Sequence, residues 1–147
     1  MKINITLLGL LSLLVLTACS QAPTGNTIAG DSSDYLRIAK TDITEDMTKY
    51  VYDADGVEVK YFAVLDEKGN TKTAFDACDV CGGHKGYDQE GDQVVCNNCG
   101  LKFSIADLGT ENKAGGGCWP SHLEHIEEDE YIYIKKSDLE SARFRFV

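Results

Sequence analysis

Four of the six cysteines in this 147-residue chain fall in two matched pairs, Cys78-Asp79-Val80-Cys81 and Cys96-Asn97-Asn98-Cys99. Two intervening residues let both sulfurs of a pair turn toward one point. Glycine follows each pair, as Gly82 and Gly100, and its tolerance of positive φ lets the backbone curl around that point. Two such hooks facing one another make a four-thiolate pocket for a soft metal ion or an iron–sulfur centre. The fourteen residues between the pairs are one fewer than the usual zinc template has. Cys78, Cys81, Cys96 and Cys99 are therefore the candidate metal ligands. Cys118, at the end of Gly115-Gly116-Gly117, sits in another backbone-flexible loop and could join or guard the centre.

Four thiolates admit several occupants. Zinc would make a closed structural site with no redox role. A single iron ion, a [2Fe–2S] or a [4Fe–4S] cluster on the same sulfurs would cycle one electron. Covalent haem is excluded, because it needs histidine directly after Cys-x-x-Cys, where this chain has Gly82 and Gly100. His84, three residues after Cys81, is either a replacement ligand or a loop residue. His122 and His125 lie near Cys118 beside the acidic run 124–130, as a weak cation site or a solvated loop. Trp119 could cover the centre or simply pack. No Ser-His-Asp set, nucleotide loop or carboxylate pair argues for hydrolysis or phosphoryl transfer, which points to a metal-binding or electron-transfer module rather than an enzyme.

The N-terminus is an address. Lys2 precedes an apolar run from Ile3 to Leu16, about the length of a signal h-region and short for a membrane span. The run closes on Leu16-Thr17-Ala18-Cys19, which looks like a lipobox. Residues 1–18 are then expected to be a lipoprotein signal peptide, with Cys19 lipidated and residues 19–33 a flexible tether. Two acyl chains hold a protein stably on a bilayer, so the expected location is the extracytoplasmic face of the cell envelope. Outside the cytoplasm thiols tend to pair, yet setting Cys19 aside leaves an odd five. A Cys-x-x-Cys bridge doing thiol–disulfide exchange is a further reading, although no βαβ pattern surrounds either pair. The formal net charge of −10 suits neither nucleic acid nor anionic headgroups, which require a positive patch.

Residues 34–147 read as one small, mainly β domain of antiparallel strands and hairpins carrying two metal-binding knuckles. Val57 to Leu65 alternates with period two and places Val57, Val59, Tyr61, Ala63 and Leu65 on one face. Turns at 53–56 and 67–70 join it to strands around 49–52 and 71–75. A hairpin of Tyr87 to Gln89 with Gln93 to Val95 delivers the second pair, and Lys102 to Ser104 leaves as a strand. Ile105 to Leu108 suits one helical turn, Glu130 to Lys135 a strand, Ser137 to Ser141 a small helix, and Arg143 to Phe146 a terminal strand.

The joined pattern Ala74-Phe75-Asp76-Ala77-Cys78-x-x-Cys81, Gly86-Tyr87-x-Gln89-Glu90-Gly91-Asp92-Gln93-Val94-Val95-Cys96-x-Asn98-Cys99-Gly100-x-x-Phe103 and Gly115-Gly116-Gly117-Cys118 resembles FtrD-like membrane iron–sulfur proteins over about residues 43–123. The resemblance implies an iron–sulfur cluster held by Cys78, Cys81, Cys96 and Cys99, with Cys118 a further candidate. It also implies electron transfer beside a membrane permease and redox partner proteins in iron or other metal-ion transport. Family members often read Gly-Gly-Cys-Asn-Pro where this chain has Trp119 before Pro120, and many carry several membrane spans where this chain has a lipobox. The alternatives are a structural zinc module with a binding role, a mononuclear iron site, and thiol–disulfide exchange.

Overall fold

A computed structural model describes residues 34–83, 85–109 and 117–147. The expected signal peptide, Cys19, the tether, His84, Gly115 and Gly116 lie outside the described residues. The fold is mainly β, as expected: three antiparallel sheets of three strands each.

The central sheet is the expected meander of β2 (Thr48–Ala54), β3 (Val57–Leu65) and β4 (Thr71–Phe75). Its first turn is the two-residue Asp55-Gly56, with φ of 53° and 85°, the conformation whose twist matches paired strands. The Gly56 N–H donates to Asp53 Oδ1 at 2.6 Å. The second turn closes on Asp66, whose carboxylate accepts the N–H groups of Lys68 and Asn70 at 3.0 and 2.8 Å.

A second sheet has the order β1 (Tyr35–Ala39), β9 (Tyr131–Lys135), β8 (Ile126–Glu128). The third is β5 (Tyr87–Glu90), β6 (Gln93–Cys96) and β7 (Lys102–Ser104). β5 and β6 pair from Tyr87↔Cys96 to Glu90↔Gln93, so this hairpin is the arm that presents the second cysteine pair.

β3 is buried on both faces. Val59, Tyr61 and Ala63 pack with Leu36, Ile38, Ile132, Ile134 and Leu139, between the central sheet, the β1–β9–β8 sheet and the helix α1 (Lys136–Ser141). Phe62 and Val64 point the other way, into a cluster with Ala74, Tyr87, Val94, Ile105, Leu108, Cys78 and Cys96. The alternating pattern marks only the first of these faces, because the opposite face begins with the charged side chains of Glu58 and Lys60 and turns apolar only at Phe62. The second core backs directly onto the cysteines.

Two expectations change. Arg143–Arg145 is a 3-10 turn rather than a terminal strand. The backbone runs on from α1 through Arg145 N–H to Ala142 O at 3.0 Å and Phe146 N–H to Arg143 O at 2.9 Å, which consumes the groups a strand would need. The acidic run contains β8, every residue of which is exposed; pairing with β9 rather than burial holds it there. Among the described residues no helix is long and apolar enough to cross a membrane.

Candidate metal centre

Both hooks hang from strand ends. β4 runs into Asp76-Ala77-Cys78, and the first knuckle closes where Gly82 N–H donates to Cys78 O at 3.0 Å. β6 ends on Cys96, and Gly100 N–H donates to Cys96 O at 2.8 Å. Gly82 and Gly100 have φ of 63° and 73°, as their position after each pair predicts.

Buried Asp76 fixes the hooks to each other. Its Oδ1 accepts the Tyr87 N–H at 2.6 Å, and its Oδ2 meets Lys49 Nζ of β2 at 3.2 Å. One carboxylate thereby joins the chain before Cys78 to the strand opposite Cys96.

The Cys118 loop is packed against both hooks. On the first side, an added Cβ at Gly117 would lie 2.1 Å from Val80 Cγ2, and Ser121 Oγ donates to Asp79 Oδ1 at 3.2 Å. On the second, Trp119 meets Phe103 of β7 edge-on at 4.9 Å, and the Tyr87 hydroxyl donates to the Cys118 carbonyl. In Gly117→Ala the added methyl must therefore displace either the Val80 side chain or the loop. The substitution should cost about 1–3 kcal/mol of stability and lower metal occupancy, measured by chemical denaturation and elemental analysis of the same preparation.

Five sulfurs converge. Those of Cys78, Cys81 and Cys118 lie within 4.8 Å of one another, and so do those of Cys96, Cys99 and Cys118. No four are mutually that close among the described residues. Cys81 Sγ is 3.9 Å from Cys118 Sγ, and all five thiols are free. Cys78 and Cys96 are buried, Cys81 and Cys118 half-buried, and Cys99 exposed. Val80, inside the first pair, and Leu101, two residues beyond Cys99, are exposed as well (68% and 51%).

Hydrogen bonds also reach the sulfurs. Asn98 Nδ2 of the second hook donates to Cys81 Sγ of the first at 3.0 Å, and Cys81 N–H donates to Cys78 Sγ, also at 3.0 Å. The Leu101 backbone N–H, and then the Cys118 side chain, lower the Cys99 pKa. Hydrogen bonding to Cys99, burial and the neighbouring Cys81 push Cys118 up to about 12. Without metal, the two shifts run in opposite directions: Cys99 gives up its proton more readily than Cys118. Burial, then the charge of Cys78, raises the Tyr87 hydroxyl pKa, so Tyr87 stays a neutral donor to the Cys118 loop.

Of the described histidines, His122 and His125 stand apart from the sulfurs. His125 Nδ1 lies 2.8 Å from Thr73 Oγ1, and its Nε2 lies 3.4 Å from Glu127. His122 pairs through its backbone with Ala74. Neither is in a ligand group among the described residues. Spacing alone gave no role to Asn98 or Tyr87; both lie inside the motif, but their contacts appear only once the hooks are folded together.

Among the described residues the donor set is entirely sulfur, with amide donors on three of the five atoms and no carboxylate or imidazole among them. That chemistry fits iron–sulfur ligation, where thiolates hold the metal and hydrogen bonds to sulfur tune its potential. A family model described as membrane iron-sulfur containing protein, FtrD-like, matches residues 41–146. No curated protein and no solved structure matches the chain.

Proposed function

Because this chain belongs to the FtrD-like family of membrane iron-sulfur containing proteins, we propose that it is a membrane-tethered electron carrier. Its cysteines hold an iron–sulfur centre, and it works beside a permease or redox partner in the transport of iron or another metal ion. The observation that carries the reading is the gathering of five sulfurs from three chain segments, three of them hydrogen-bonded by amides, around an edge left open at Cys99. When bound, an iron–sulfur group accepts or donates one electron.

The chain supplies the rest. Cys78, Cys81, Cys96 and Cys99 are the principal ligands, with Cys118 the fifth. Asn98 stabilises negative charge on Cys81 Sγ. Tyr87, Phe103 and Trp119 cover the inner side and exclude water, which strengthens those hydrogen bonds. Exposed Cys99 is the side on which a partner would exchange electrons. Lipid on Cys19 would keep the domain at the extracytoplasmic face of the cell envelope, and residues 20–33 would give it reach.

A structural zinc module fits less well. One tetrahedral zinc needs four sulfurs about 3.8 Å apart, given Zn–S bonds of about 2.3 Å, and no four gather even within 4.8 Å. The test is a potentiometric titration of protein purified under nitrogen. Reversible bleaching of a visible band with one-electron Nernst behaviour is expected. Colourless protein with one zinc per chain and no redox response would overturn the proposal in favour of the structural module.

A further inference from the structure

Among the described residues, Cys118 is the only sulfur common to both ligand groups. We propose that the centre holds two metal ions, one on each Cys-x-x-Cys pair, with the Cys118 thiolate shared between them. This rests on the reading of the cysteines as a metal centre and adds its nuclearity and the role of the fifth sulfur.

Two observations carry it. First, the spacing opposes a single ion. Sulfurs on one tetrahedral metal sit about 3.8 Å apart; the 3.9 Å between Cys81 and Cys118 meets that figure within the first group, but the two pairs together do not form one set of four. Each pair makes its close group with Cys118 instead.

Second, the Cys118 loop is built into both halves. Gly117 packs on Val80 inside the first pair, with no room for a Cβ. Trp119 packs on Phe103, just beyond the second pair. A cysteine that merely guarded the centre would need only one of these supports.

The two halves are also tied to each other across the site. Asn98, reaching from the second pair to Cys81 Sγ, braces the halves against each other.

The experiment reconstitutes the folded chain with iron and sulfide under nitrogen and counts iron per chain. Two irons in the wild type are expected, with iron retention falling at least fivefold in Cys118→Ser. One or four irons per chain, or full retention by Cys118→Ser, would overturn the shared-ligand proposal while leaving a metal centre in place. No iron in the wild type would overturn the underlying reading as well. Should Cys118→Ser fail to fold, wild type loaded with Co2+ answers the same question. A shared sulfur couples the two ions, so the EPR intensity at two equivalents falls below that at one, whereas a doubled, uncoupled signal contradicts the proposal.

Discussion

Replacing Cys96 with serine should strip the centre and melt one side of the domain while leaving the other folded. Cys96 is 2% exposed and belongs to the second core as well as to the second hook. The sheet it ends has strands of only four, four and three residues, and a sheet this small is marginal without further support. A bound metal would supply that support by closing the loops between distant cysteines. The variant should keep less than about a tenth of the wild-type iron and lose at least about 3 kcal/mol of stability, which is roughly 10–20 °C in melting temperature for a domain of this size. Hydrogen exchange locates the loss. Amides of β5–β7 should exchange much faster, while those of β2–β4 keep their protection. Uniform loss across all three sheets would mean that the centre stabilises the fold as a whole rather than this arm.

Phe62→Ala should be nearly as damaging without touching a ligand. Phe62 is fully buried on the face of β3 that carries the second core, beside Val64, Ala74, Tyr87 and the two buried cysteines. Removing a buried phenyl ring costs about 3–5 kcal/mol, a large share of the 5–15 kcal/mol that holds a typical domain together. The second core is small and is also the floor under Cys78 and Cys96, so the cavity opens where the hooks need a firm base. A lower denaturation midpoint, with weaker iron retention under a competing chelator, is the expected pair of results. Val51→Ala makes the control: it lies on the neighbouring strand β2 but is 54% exposed, and it should change stability by less than about 0.5 kcal/mol.

Spacing and turn chemistry made much of this legible beforehand. The β2–β3–β4 meander, the β5–β6 hairpin, the turn after Ser104 and the helix at 136–141 follow from alternation, Asp-Gly and Gly-Asp turns and short apolar patterns. Both hooks were legible because Cys-x-x-Cys followed by glycine has few other physical meanings. What escaped needed knowledge of neighbours. Alternation on β3 named one buried face, whereas burial of Phe62 and Val64 depends on the β5–β7 sheet, which arrives more than twenty residues later in the chain. The Arg-Phe-Arg-Phe end alternates like a strand, but α1 runs on and takes its hydrogen bonds. β8 carries three exposed residues and no apolar face of its own, so only its pairing with β9 defines it. Cys118 was visible as a candidate, but its membership of both ligand groups depends on Gly117 and Trp119 docking on opposite hooks.

The most direct measurement is the iron, acid-labile sulfide and zinc content of the wild-type protein, isolated from its native cells under nitrogen and taken together with its thiol count. The account predicts iron with matching sulfide, little zinc, and thiols that become reactive only after the iron is removed. Protein without iron, carrying either one zinc per chain or its cysteines joined as disulfides, would contradict it.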